Sequence, residues 1–421
     1  MIRLLYSLVG FLLTPLISLW LLKRAARGKE SLVRLRERFG YAAQPRPEGK
    51  LVWLHAASVG ETQSVLTLVR QMLQQNHNLS VLITTGTVTS AALVTQQQLP
   101  RTVHQFVPID TWLAARRFLR HWQPDLVLWV ESEFWPQLLW QVKRRRIPAL
   151  LINARISETT AASWRRWPRT IKSVLCCFNA IYAGSREDAA RLATLGARHI
   201  HDAGNLKYDA ASLPVDESAL AELQQTIGSR KLWVVASTHA NEEQRIAEIH
   251  DKLRGQFHDL LTIIVPRHAT RGDAIATDLR SRGASLAQRS KAEPITLQTG
   301  IYLADTMGEL GLFFRLSEIV FIGGSLIAHG GHNPLEAARL HCAILSGPHT
   351  HNFTTIIQHL QHHHAIRIVR DAAELQVMVA LLLRDKGQRQ DLAQRAEEVV
   401  KSAQGASDKI LAEIDHLLAE A

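Results

Sequence analysis

The chain has 421 residues, 46% of them hydrophobic, and a formal net charge of +11. That length is too great for one comfortable core and predicts two domains of ordinary globular composition. The charge balance points to an anionic partner, whether nucleic acid, membrane surface or phosphorylated substrate. The three cysteines (Cys176, Cys177, Cys342) form no C-x-x-C pair, which excludes a zinc ribbon or a disulfide framework.

The N-terminal stretch Leu4–Leu22 carries no charge and is followed at once by Lys23, Arg24, Arg27 and Lys29. Its length approaches that of a bilayer core, and no small-residue cleavage site closes it, so the pattern predicts an uncleaved anchor. The basic flank places the rest of the chain on the cytoplasmic side. Pro15 and the marginal length also allow a helix that only dips into the membrane; the alternative is a buried core helix. A basic helix is expected over about Ser31–Phe39.

Short apolar runs then alternate with amphipathic stretches: Leu51–Leu54, Val81–Thr85, Gln105–Pro108, Leu126–Val130, Ala149–Asn153 and Ala180–Ala183. After a looser segment near Leu213–Arg230 the pattern restarts at Leu232–Ala236, Leu261–Val265, Ile301–Ala304, Ile319–Ile322, Ala343–Ser346 and Ile366–Val369. A long charged helix, roughly Gln388–Ala419, closes the chain. Alternating strands and helices predict two successive α/β, doubly wound parallel-sheet domains, with chemistry in a cleft at the carboxyl ends of their strands. The expected boundaries are 1–30 for the anchor and its basic flank, 31–212 for an N-terminal domain, and 213–421 for a C-terminal domain that includes the closing helix.

In HAASVGE (His55–Glu61), Glu61 opens a helix, Glu61–Leu73, just past a strand end. The helix N-terminus favours its ionised form, and an ionised carboxylate there can act as a general base or merely complement the dipole. WVESEFWP (Trp129–Pro136) puts Glu131 and Glu133 at another strand end; in an extended chain their side chains face opposite ways, so at most one meets the cleft. In GNLKYD (Gly204–Asp209), Lys207 can stabilise charge or simply pair with Asp209.

The second half carries VPRHATR (Val265–Arg271), with Arg267 and His268 suited to phosphate, and DTMGELG (Asp305–Gly311) at the start of a helix. GGSLIAHGGHNPLEAA (Gly323–Ala338) has two glycine pairs and Asn333-Pro334 at a helix start, where free backbone N–H groups suit a phosphate. Glu336 can complete a capping box or accept from ribose hydroxyls. His329 and His332 are separated by glycines, and the spacing argues against a metal pair. The stretch His359–His364 reads as a solvated helix end.

Taken together and in order, HAASVGE, ESEFWP, NARIS (Asn153–Ser157), GNLKYD, STHANEE (Ser237–Glu243), VPRH, DTMGEL and GGHNPLE resemble the 3-deoxy-D-manno-octulosonic acid (Kdo) transferases of lipopolysaccharide synthesis, over nearly the whole chain. The resemblance implies a GT-B glycosyltransferase fold with an N-terminal anchor at the bacterial inner membrane. It implies CMP-Kdo as donor and lipid IVA, a tetraacylated bisphosphorylated glucosamine disaccharide, as acceptor. It also implies inversion with neither metal nor cofactor, anionic inner-membrane lipid as a further partner, and no nucleic acid. By the same resemblance Glu61 is the proton acceptor, and Glu131 and Lys207 stabilise the transition state. Arg267 and His268, then Met307, Gly308 and Glu309, then Asn333, Pro334, Leu335 and Glu336 bind CMP. Ala328 and Ala337 stand where the family pattern has proline, which loosens the loop without removing a reacting group. The competing expectations are another GT-B enzyme acting on a UDP-sugar, as transferase or epimerase, and a membrane-tethered nucleic-acid-binding protein. Against the latter, no basic stripe is interleaved with aromatics.

Overall fold

The computed structural model describes residues Ile2–Glu420. Two seven-stranded sheets, parallel at every pairing, organise two compact units. Unit 1 contains β1 (Lys50–His55), β2 (Leu79–Thr85), β3 (Thr102–Phe106), β4 (Leu126–Val130), β5 (Ala149–Ala154), β6 (Ala180–Ala183) and β7 (Ile200–Asp202) in the order β3-β2-β1-β4-β5-β6-β7. Unit 2 contains β8 (Leu232–Thr238), β9 (Leu261–Pro266), β10 (Leu286–Gln288), β11 (Ile301–Leu303), β12 (Ile319–Ile322), β13 (Ala343–Ser346) and β14 (Arg367–Ile368) in the order β10-β11-β9-β8-β12-β13-β14. This is the doubly wound pair of the GT-B architecture.

The central strands are largely apolar because both faces of each sheet are covered. In β1, Leu51 and Trp53 enter one core while Val52 and Leu54 enter the core on the opposite face. Every short apolar run read as a strand became one. The two strands missed, β7 and β10, are three-residue edge strands too short and too polar for a run to register. In each sheet the strand order reverses once beside the first strand, between β1 and β4 and between β8 and β12. The carboxyl ends of those pairs are where such sheets bind ligands.

Three expectations are corrected. The basic stretch before β1 is a short 3-10 turn, Leu35–Phe39, and not an α-helix. Its buried Arg38 pairs with buried Glu30 at 3.0 Å and donates to the backbone carbonyls of Gly86 and Val107. The closing helix is broken at Gly405 (φ 104°) into Lys386–Ser402 and Ala406–Glu420. The boundary also moves: unit 1 is Met1–Ala210 with Gln404–Ala421, and unit 2 is Ala211–Ala403. The last helix returns because its apolar stripe, Ile410, Leu411, Ile414, Leu417 and Leu418, joins the core formed by Val65, Leu68 and Leu128. Asp209 fixes the return by accepting from the backbone N–H groups of Gly405 and Ser407 (2.8 and 2.5 Å).

Helix α1 (Ile2–Ala26) is long and apolar enough to cross a membrane. It is nevertheless tied to the rest of unit 1 near both of its ends. The Tyr6 hydroxyl donates to Asp110 (2.8 Å) and the Ser7 hydroxyl to Gln137 (3.0 Å), while Leu21 is buried and Arg24 pairs with Glu30 (3.1 Å).

Candidate active site

Helix α2 (Val59–Gln75) starts two residues earlier than its carboxylate suggested, with Ser58 as N-cap. Its first turn wraps Glu61 back on itself. Glu61 accepts from the Ala57 N–H (2.8 Å) and the Ser58 hydroxyl (2.8 Å), and its own N–H donates to Ser58 Oγ (3.3 Å). Those bonds and the helix end favour the ionised carboxylate, yet the balance goes the other way. Burial first, and then the charge of Glu131, push the Glu61 carboxyl up to about 7. The helix end favours the ionised form as expected, and desolvation and a like charge outweigh it.

Glu131 follows β4, on the other side of the strand reversal. Its φ of 58° puts it in the left-handed region, uncommon for a residue with a side chain and costing about 1–3 kcal/mol. The chain there is turned, not extended, so the rule that only one of Glu131 and Glu133 can face the site fails. Both carboxylates raise the Glu61 pKa, Glu131 more strongly. Arg155, after β5, reaches Glu131 at 3.8 Å. Lys207 completes the group from the turn after β7, placed by Asn153, whose side-chain oxygen accepts from the Leu206 N–H (3.2 Å), and by Asn205, which accepts from the Lys207 N–H (3.0 Å). Burial lowers the Lys207 pKa; the neighbouring Glu131 and Glu61 charges oppose that shift. Unit 1 thus gathers Glu61, Glu131 and Lys207. It adds Arg155 and Glu133, which sequence reasoning did not select; NARIS and ESEFWP held the only signal for them.

Beside Glu61 opens a cavity of about 930 Å³. One wall is α1, contributing Val9, Leu13, Leu16, Ile17 and Trp20; Glu61 and Glu133 lie at its polar edge. A half-buried carboxylate with a pKa near neutrality, at the lip of an apolar cavity, is equipped to take a proton from a molecule that is part polar and part greasy.

In unit 2, the Arg267 N–H donates to the carbonyl of Thr238 at the end of β8 (3.0 Å), which leaves the Arg267 and His268 side chains exposed after β9. The glycine-rich loop differs from expectation. The backbone N–H groups of Gly324, Ser325 and Leu326 are taken by the buried carboxylate of Glu242 (2.6, 3.1 and 3.1 Å) and are not free for phosphate. Gly323 is required there, because a Cβ would lie 2.8 Å from the Ser237 carbonyl oxygen. The helix at Asn333-Pro334 is a single turn, Leu335–Ala338, and Asn333 itself accepts from the Leu335 N–H (3.2 Å). Glu336 is half-buried, its carboxyl raised by desolvation and held back by the Asn333 amide (3.3 Å) and by the charges of Arg339 and Arg267. Arg267, Asn333 and Glu336 are therefore neighbours. Met307 is exposed and Gly308 has a φ of 85°. Glu309 is tied to Arg289 (2.7 Å from its Nε) and to the Thr306 hydroxyl, and this pairing holds its carboxyl below the usual range. His239, in STHANEE, was not selected from the sequence, yet it contacts His268, His329 and His332.

A family model described as 3-deoxy-D-manno-octulosonic-acid transferase (kdotransferase) matches residues 33–210. A protein of Arabidopsis thaliana named "Probable 3-deoxy-D-manno-octulosonic acid transferase, mitochondrial" is 34% identical over 419 residues, covering 96% of this chain and 91% of its own. The 3-deoxy-D-manno-octulosonic acid transferase of Haemophilus influenzae is 32% identical over 419 residues, covering 97% of both chains. Among solved structures, UDP-GlcNAc 2-epimerase from Neisseria meningitidis superimposes with a TM-score of 0.61 over 88% of this chain and 100% of its own; at 14% identity the likeness is one of fold.

Proposed function

The chain belongs to the 3-deoxy-D-manno-octulosonic acid transferase family, and from that premise we propose that it transfers Kdo from CMP-Kdo to lipid IVA, with inversion and with Glu61 as general base. The observation that carries this reading is the meeting of Glu61 with the apolar cavity lined by α1. A lipid acceptor carries a sugar hydroxyl and acyl chains in one molecule, and the cavity offers apolar walls beside a carboxylate. A sugar-nucleotide epimerase has no use for such walls.

In the proposed step the acceptor hydroxyl oxygen bonds to the Kdo anomeric carbon as that carbon's bond to the CMP phosphate oxygen breaks. The hydroxyl proton passes to Glu61, and CMP leaves with the electron pair. Glu131 and Arg155 hold the field around Glu61, and Lys207 supplies the nearby positive charge. The donor is assigned to unit 2. The exposed Arg267 guanidinium makes no hydrogen bond or ion pair among the described residues and suits the phosphate; Glu336 and Asn333 suit sugar hydroxyls. Chemistry of this kind needs no metal where protein cations balance the leaving charge. The exposed Lys23, Arg27 and Lys29 beside α1 favour an anionic membrane surface, which agrees with the bacterial inner membrane and its cytoplasmic face.

The test is direct. Purified full-length protein is incubated in detergent with CMP-Kdo and lipid IVA, and the product mass is read. The expected result is a lipid heavier by one or more Kdo units, with no transfer from UDP-sugars. Equal transfer to a deacylated disaccharide would remove the cavity from the mechanism, and absence of a Kdo-lipid product would remove the acceptor assignment.

A further inference from the structure

In unit 2 the strand reversal between β8 and β12 gathers a second cluster, made of imidazoles. His239 lies on the turn after β8; His329 and His332 lie on the glycine-rich loop after β12. One ring nitrogen of each lies within 4.8 Å of the others. His239 Nε2 and His332 Nε2 are 2.8 Å apart, and the His239 and His329 rings stack with centroids 3.6 Å apart. We propose that His239, His329 and His332 form a three-imidazole site for a transition-metal ion of the zinc class, which staples the glycine-rich loop to the β8 turn.

Three imidazole nitrogens within 4.8 Å of one another, two of them 2.8 Å apart, are a donor set that Zn²⁺ accepts in tetrahedral geometry once His329 swings off the His239 ring and turns a nitrogen to the ion. At a Zn–N distance of about 2.0–2.1 Å the ligand nitrogens stand roughly 3.3 Å apart, so the His239–His332 pair opens by about half an ångström and the wider span closes. The loop that must adjust is flanked by Gly330 (φ 107°) and Gly331 (φ 72°). His329 is exposed, which gives an ion a way in. Arg267 and Arg271 add positive charge that opposes a cation, whereas the Glu242 carboxylate, which accepts from the His239 N–H (3.1 Å), favours one. The spacing argument against a metal pair considered only His329 and His332; the third ligand comes from a strand 90 residues upstream, which pattern reading does not join to them.

The experiment uses the full-length chain stripped with a chelator. Because His359 and His363 form a second, surface pair with ring centroids 5.1 Å apart, both are first replaced by alanine. Zn²⁺ titrated calorimetrically into this background should bind at one equivalent, and Co²⁺ should give the intense visible absorption of a tetrahedral site. His329→Ala, which changes an exposed side chain outside the reacting groups, should weaken binding by about tenfold or more and abolish the Co²⁺ band. His332→Ala should do the same. No Zn²⁺ binding in the background protein, or unchanged affinity and spectrum in His329→Ala, overturns the site.

Discussion

At the residue scale, Glu61 separates what sequence conveys from what only packing supplies. Its place, past a strand end and opening a helix, follows from the apolar run before it and the small residues between. Its titration does not, because burial and Glu131 arrive from a strand 70 residues downstream. The raised pKa makes two expectations. Transfer by the wild type should rise with pH through about 7, since only the ionised carboxylate accepts a proton, and Glu61→Gln should lose about a hundredfold or more while still binding CMP-Kdo. Stability should move the other way. A carboxyl whose folded pKa lies above its unfolded value stabilises the fold at low pH and loses that contribution as pH rises from about 4.5 to about 7. The melting temperature of Glu61→Gln relative to wild type should therefore shift in the variant's favour between pH 5 and pH 8. Wild-type turnover in the variant would exclude the base role; a pH-independent difference in melting would exclude the perturbed carboxyl. Arg267→Ala tests the donor side. A guanidinium that makes no hydrogen bond or ion pair among the described residues costs the fold little to remove, while a charge-assisted phosphate contact is worth roughly 1.5–3 kcal/mol. Calorimetry should show CMP-Kdo affinity reduced by about tenfold or more with the melting temperature unchanged; unaltered affinity would remove Arg267 from the donor site.

At the scale of elements, α1 was legible as an apolar helix and illegible as a wall. Charge-free composition cannot show that one stripe (Val9, Leu13, Leu16, Ile17, Trp20), itself largely exposed, lines an open cavity while another (Leu5, Leu8, Leu12, Leu19) faces away from it. The two stripes follow helical spacing, and the helix is held to unit 1 near both ends by Tyr6–Asp110 and Arg24–Glu30. A helix so attached is suited to lie in one leaflet with its outer stripe in lipid, the dipping arrangement that Pro15 and the short span allowed. The stripes should then fail differently. Leu8→Gln with Leu12→Gln should reduce binding to anionic vesicles and leave transfer to detergent-dispersed acceptor near wild type. Leu13→Gln with Ile17→Gln should impair transfer in detergent as well, because the cavity wall itself is changed. Identical behaviour of the two pairs in both assays would show that the stripes do not divide the work. The same finding alters what deletion of Met1–Leu22 means: it removes one wall of a cavity along with the stripe suited to lipid, so detergent activity should fall too.

At the scale of the whole molecule, two doubly wound sheets were readable because buried parallel strands are continuous apolar runs separated by amphipathic stretches. The path of the last 18 residues was not. Nothing in the stripe Ile410, Leu411, Ile414, Leu417 and Leu418 specifies which core it will cover; that is settled by Gly405, whose left-handed φ breaks the helix, and by Asp209, which captures the backbone beyond the break. The assignment makes a prediction with a spatial signature. Ile414 is buried, and truncating such a side chain to alanine costs about 2–5 kcal/mol, from lost transfer energy and the hole left behind. If the helix belongs to unit 1, Ile414→Ala should lower amide hydrogen-exchange protection in β1, α2 and β4, whose side chains share its core, and leave β8, β9 and β12 as protected as in the wild type. Asp209→Ala should reproduce the pattern more weakly, because it removes two backbone acceptor contacts and no apolar volume. If the helix instead completed the sheet nearest to it in sequence, protection would fall in β12 and β13 while β1 was spared, and a domain boundary at residue 213 would stand. The two patterns fall in different peptides of one measurement, so stability changes common to the whole chain cannot imitate either of them.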